Sequence, residues 1–208
     1  MLRRPFLAAA IAAAPLLLAP LGAVAQTPGA NAGVTETSGV KFDNELTTSR
    51  GNKLVLNGAG TRYKFVVKVY AAGLYVPAKV NTLDAVIDTS KPRLFKVVML
   101  RDIDGNELGR LFTDGMQKNA SREEFTKAIP GTIRMGEIFA EKKKLASGDN
   151  FTIDWVPGTG SVIAVNGKVI GEPIKEPEFF SALMKIWMGK SPADANLKEV
   201  LLGGKGAY

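Results

Sequence analysis

Arg62 is the residue of this chain whose type and setting best suit chemistry on an anion. It stands in residues 57–77, NGAGTRYKFVVKVYAAGLYVP. A planar, five-donor guanidinium at the mouth of a strand can hold a carboxylate or phenolate by charge-assisted hydrogen bonds worth roughly 1.5–3 kcal/mol. Gly58 and Gly60 are expected to form a sharp turn that delivers Arg62 to the start of an extended run over 63–76. Within that run the Tyr70 phenol could donate to the same anion, and Lys68, two residues away on the same strand face, could reinforce the positive end. Tyr75 is a further, weaker candidate. The bland alternatives are an exposed hairpin arginine, a packed tyrosine and a solvated lysine.

Other chemistries are closed off by composition. The chain has no histidine and no cysteine. Thiolate chemistry, disulfides and every Ser–His or Cys–His pairing are therefore excluded, and the usual general base near neutral pH is missing. Asp102 and Asp104 stand close together, yet nothing else has metal-ligand spacing, so a turn and a helix cap account for them. Neither 58–60 nor 157–160 is followed by the residues of a phosphate-binding loop. No metal and no cofactor is expected.

The elements that must position Arg62 follow from periodicity. Strands are expected at 40–42, 53–56, 63–76 and 94–100. Asn81 or Thr82 caps a short helix reaching Asp88, and Asp104 opens a helix carrying Leu108, Leu111, Phe112 and Met116 at helical spacing. Ser121 and Glu124 form a capping box before a helix that Pro130-Gly131 should break or kink. Phe151, Ile153 and Trp155 alternate on a strand that turns at 157–160, and Asn166-Gly167 marks a two-residue hairpin. Residues 178–188 read as an amphipathic helix. Ser191 and Pro192 are expected to cap and start the last helix. Strands, then helices, then a hairpin, then helices indicate an α+β domain with an antiparallel sheet covered by helices.

The ends of the chain read differently. Arg3 and Arg4 precede an apolar stretch over 6–21, and Ala23-Val24-Ala25 fits a cleavage site, so 1–25 is expected to be a signal peptide and not a membrane span. Export to the periplasm or beyond follows, by the general secretory route or, given the paired arginines, the twin-arginine route. Residues 26–39 read as a flexible linker, and 40–208 as a single domain. Net charge is +7, and removal of the leader takes away two arginines and no acids. The basic residues are dispersed apart from the run at 142–144, which suits a helix C-terminus, so no nucleic-acid partner is expected.

Four segments together resemble bacterial members of the chalcone isomerase-like family: GAGTR with KFVVKVYAAGLYV, RDIDGNELGRLF (101–112), DNFTIDWVPGTGSVIAVNGKVIG (149–171) and EPEFFSALMKIWMGKSPADANLKEVLLG (176–203). The resemblance implies an open-faced antiparallel β-sandwich with a helical layer packed on the sheet. In the isomerases of that family the arginine matching Arg62 stabilises a developing oxyanion; in the fatty-acid binders it grips the acid head. Tyr70 falls where the isomerases place a threonine and the fatty-acid binders a tyrosine. The family's catalytic Tyr and Asn positions read Leu108 and Gly115 here, and a further polar position reads Ile186, with Trp187 beside it.

Loss of those polar groups argues against turnover, although it does not exclude an enzyme. The resemblance thus implies a non-catalytic binding protein for a fatty acid or similar amphipathic carboxylate. The head would sit at Arg62, and the tail in a helix–sheet cleft lined by Leu108, Ile186 and Trp187. The alternative is a cofactor-independent isomerase or lyase working through an Arg-stabilised enolate or phenolate. A third possibility is an accessory protein with no ligand.

Overall fold

Strands with alternating burial make one large sheet. A computed structural model describes residues 33–206; the expected leader and residues 26–32 of the expected linker lie outside the described residues. The strands are β1 (Val34–Thr37), β2 (Val40–Asp43), β3 (Glu45–Thr47), β4 (Lys53–Lys64), β5 (Val67–Val76), β6 (Arg93–Met99), β7 (Ile103–Asp104), β8 (Lys144–Leu145), β9 (Asn150–Val156), β10 (Gly160–Val165) and β11 (Lys168–Val169). Seven of them form a sheet in the order β11-β10-β9-β6-β5-β4-β3, every neighbouring pair antiparallel. Asn166 and Gly167 both take positive φ at the β10–β11 turn, as their sequence demands.

The helices are α1 (Leu83–Val86), α2 (Gly105–Asn119), α3 (Arg122–Lys142), α4 (Pro177–Met188) and α5 (Ala195–Leu201). Phe95, Val97, Phe151 and Ile153 of the sheet pack against Phe112, Phe139, Leu183 and Trp187 of α2, α3 and α4. The other face is covered over β4 and β5 by the β1–β2 hairpin, whose Phe42 packs with Leu54, Leu56, Ala71 and Tyr75. The expected α+β architecture, an antiparallel sheet with a helical layer, is therefore the observed one.

Local expectations needed correction. Residues 58–60 do not turn: they lie in the middle of β4. Their glycines serve a close approach instead. A Cβ at Gly58 would lie 1.8 Å from the Val200 carbonyl oxygen of α5, and one at Gly60 would press on Leu197. Gly58→Ala is expected to push α5 off the sheet and cost about 1–3 kcal/mol, read as a lower denaturant midpoint. The expected strand over 63–76 is two strands joined at Phe65-Val66, with Phe65 at φ 56°.

Residues 34–37, placed in the linker by composition, form β1, held in register from Val34↔Asp43 to Thr37↔Val40. Pro130 does not divide α3, which runs 21 residues through it. Glu124 completes half of its capping box: its N–H donates to Ser121 Oγ, but its carboxylate turns to Lys185 and Ser181 of α4. The last helix is capped by Asp194, not Ser191; the Ser191 N–H donates to Asn119 Oδ1.

Candidate functional site

One extra residue in β4 decides where Arg62 points. The ladder runs Leu56↔Tyr75 and then Gly58↔Leu74, leaving Asn57 unmatched as a β-bulge. Before it, Leu54 and Leu56 face the β1–β2 hairpin; after it, Gly58 and Gly60 face α5. The bulge shifts the alternation by one, so Arg62, two residues beyond Gly60, faces the helical layer. Asn57 is fixed by its own side chain, which donates to the Val80 and Leu201 carbonyls and accepts from the Val80 N–H. Sequence reading missed Asn57 as a positioning residue. Its signal was an amide beside a glycine inside an alternating apolar run.

Arg62 and Tyr70 are cross-strand partners, and the guanidinium carbon sits 5.6 Å from the Tyr70 ring centre. Both line a cleft of about 320 Å³ between the sheet and the start of the helical layer. Its apolar walls are Val69, Ile103, Leu108, Leu111, Phe112 and Ile186, and Gly115 lies among them. Leu108, Leu111, Gly115 and Lys118 recur at spacings of three and four along α2, which puts them on one stripe of that helix. A Cβ at Gly115 would come within 3.1 Å of Ile186, so this glycine lets α2 and α4 close on one another at the cleft.

Arg62 Nε is shielded from solvent and has no hydrogen-bond partner among the described residues. The contrast with Arg93 is informative. Arg93 is 1% exposed, against a half-buried Arg62, and its three nitrogens donate to the carbonyls of Val86, Pro92 and Ala85 at 3.1, 2.8 and 2.6 Å. A buried structural arginine in this fold is satisfied by backbone; Arg62 is not, and it borders an open hollow. A shielded donor left without an acceptor costs free energy, which a small turn of the guanidinium toward an anion in the cleft would recover.

Tyr70 is buried, and burial pushes its phenol up to about 12 despite the opposing effects of the Arg62 cation and the Trp187 hydrogen bond. It therefore stays protonated at neutral pH. Trp187 Nε1 donates to the Tyr70 oxygen at 2.6 Å, and the phenol's own proton has no acceptor among the described residues. Trp187 itself is 1% exposed and packs on Phe95 and Phe112, with ring centres 4.3 and 5.9 Å away. Trp187, expected to line the cleft, does not do so: it is packed in the core behind Tyr70. Beyond it the helix–sheet interface is filled by side chains of the aromatic core.

Two more of the sequence candidates lie away from the cleft. Tyr75 is on the opposite face of β5 from Tyr70, five residues on and so of opposite parity, packed with Phe42 and Leu56. Lys68 is exposed at the β4–β5 turn, paired with Tyr63, and does not line the cleft. Larger hollows exist, such as the 500 Å³ groove between α2 and α3, but none of the shielded unpartnered polar atoms lies in it. Among the described residues no group of acidic side chains could hold a metal ion, and no helix is long and apolar enough to cross a membrane.

Comparison with known proteins bears on this arrangement. Residues 34–203 match the protein family described as chalcone isomerase-like. The crystal structure of an Arabidopsis thaliana fatty-acid binding protein superposes with a TM-score of 0.59 at 15% identity, covering 79% of this chain and 92% of that one. At such identity the likeness speaks for the fold. No curated protein matches the sequence.

Proposed function

The chain belongs to the chalcone isomerase-like family, and on that premise we propose that it binds a fatty acid or similar amphipathic carboxylate without transforming it. The observation that carries this reading is Arg62, half-buried and with an unpartnered Nε, on the wall of a cleft lined mainly by apolar side chains. The carboxylate accepts hydrogen bonds from Arg62, and the Tyr70 hydroxyl, already accepting from Trp187, donates its proton to the same head. The tail lies among Val69, Ile103, Leu108, Leu111 and Ile186. Each buried methylene contributes about 0.8 kcal/mol before the cost of association.

Size sets the tail. A volume of 320 Å³ is at the lower end of the roughly 300–1,000 Å³ typical of ligand sites. A short or medium chain fits without moving Trp187. The reading includes export: the N-terminal residues, with Arg3, Arg4 and the apolar stretch to 21, have the make-up of a cleaved leader, which would place the carrier in the periplasm.

Calorimetric titration with a series of saturated acids, together with native mass spectrometry of protein taken from cells, tests the proposal. Arg62→Ala is expected to weaken acid binding about tenfold to a hundredfold, the loss of one charge-assisted contact. Unchanged affinity in that variant sinks the assignment of the head group.

A further inference from the structure

The β4–β5 turn has a composition that folding does not explain. Its two central residues, Phe65 and Val66, are 93% and 90% exposed, and Val67 next to them is 44% exposed. Phe65 holds φ 56°, a left-handed backbone region that a bulky aromatic residue rarely adopts and that Asn or Gly fills more cheaply. The chain thus keeps an exposed ring at a strained position where a small polar residue would serve the turn better. Strain of this kind concentrates at sites of binding.

Charge supplies the second observation. Lys64 and Lys68, both exposed, bracket the tip, so the hairpin end reads Lys-Phe-Val-Val-Lys. From Leu46 to Leu83 the sequence contains no Asp or Glu, while it carries Arg50, Lys53, Arg62, Lys64, Lys68 and Lys79. An apolar point flanked by two lysines, on strands that themselves carry no acid, complements a surface that is apolar beneath and negative at its boundary. The tip also adjoins the cleft: Arg62 precedes it by three residues on β4, and Val69 follows it on β5, both lining the hollow.

We propose that the β4–β5 hairpin tip docks on an anionic bilayer, with Phe65 and Val66 entering the interface and Lys64 and Lys68 at the headgroups. One apolar point with two cations gives weak, reversible attachment. The purpose assigned to it, passage of an acid between bilayer and cleft, rests on the carboxylate-carrier reading; the contact itself does not.

The absence of cysteine makes a local test available. A single Val66→Cys variant carrying an environment-sensitive fluorophore reports the tip alone, whatever else in the chain meets lipid. With vesicles of phosphatidylglycerol and phosphatidylcholine the emission is expected to shift to the blue and rise several-fold. The response should weaken in pure phosphatidylcholine and in high salt. Adding Phe65→Asn, which relieves the backbone strain and so preserves the fold, should lower partitioning about tenfold or more.

Acid titration without vesicles should be the same for Phe65→Asn and the parent, since Phe65 is not in the cleft. Failure of acid binding and failure of docking are thus read separately. No spectral response to anionic vesicles, an equal response to neutral ones, or no effect of Phe65→Asn overturns the proposal. So does a response confined to a membrane-free cell lysate, which would identify a protein partner instead.

Discussion

Trp187→Ala is expected to lower folding stability by about 3–5 kcal/mol and, if the protein carries a carboxylate as proposed, to shift the preferred acid to a longer chain in the fraction that folds. Trp187 is 1% exposed, touches Phe95 and Phe112, and gives its indole N–H to the Tyr70 phenol at 2.6 Å. Truncation removes the largest side chain from the interface of α4 with the sheet and strands the phenol oxygen. For a domain of this size the cost is a drop in melting temperature on the order of 10 °C. The vacated space lies behind Tyr70, and Ile186 on the same helix lines the cleft, so the 320 Å³ hollow gains depth in the direction of the core. Longer acids should gain affinity relative to shorter ones. Trp187→Phe separates the two effects: it keeps most of the aromatic volume, loses the pyrrole ring with its donor, and should cost about 1–3 kcal/mol with little change in chain-length preference. If Trp187→Ala remains folded and its chain-length profile matches the parent, the tail does not run toward Trp187.

The architecture was legible where chemistry is local. Asn166-Gly167 specified its own turn, the stripe of Leu108, Leu111 and Phe112 specified α2, and Asp104 and Thr82 cap the helices they were expected to cap. It was illegible where a tertiary contact replaced a local signal. Gly58 and Gly60 read as a turn, yet they are small because α5 rests on them. Phe65-Val66 contains no turn residue at all, so apolar alternation ran on through it and two strands looked like one. The Asn57 bulge inverted which face of β4 carries Arg62, a matter no count of alternating residues reveals. At the site, strand parity alone separates Tyr75 from Tyr70. Lys68 shares Tyr70's parity, but parity says nothing of how near the hairpin end a residue lies. The convergence of Arg62, Leu108, Gly115 and Ile186 on one cleft depends on contacts among β4, α2 and α4 that only the fold supplies.

Asp154→Asn should stabilise the protein at pH 7 by about 2–3 kcal/mol and remove most of its stability change between pH 4 and 8. Asp154 lies on β9 between Leu94 of β6 and Val162 of β10 and is 8% exposed. Its Oδ1 makes no hydrogen bond among the described residues. Burial raises the carboxyl from 3.8 to about 6, and the Arg50 cation only partly opposes this. The folded-state value exceeds the unfolded one, so the folded protein holds the proton more tightly. Stability from this group is complete below about pH 4 and is lost as pH rises through 6. A shift of about two units corresponds to about 3 kcal/mol at neutral pH. The carboxamide keeps the shape without the charge. The chain has no histidine, so no ordinary side chain titrates between pH 5 and 7 to confuse the result. Denaturant midpoints measured across that window should fall for the parent and stay level for Asp154→Asn; parallel slopes would show that the carboxylate finds a partner or solvent on its side of the sheet. Asp154 is on the face of the sheet opposite the cleft. Acid affinity at fixed pH should therefore be equal in the two proteins, which distinguishes a change in folding stability from one in the site.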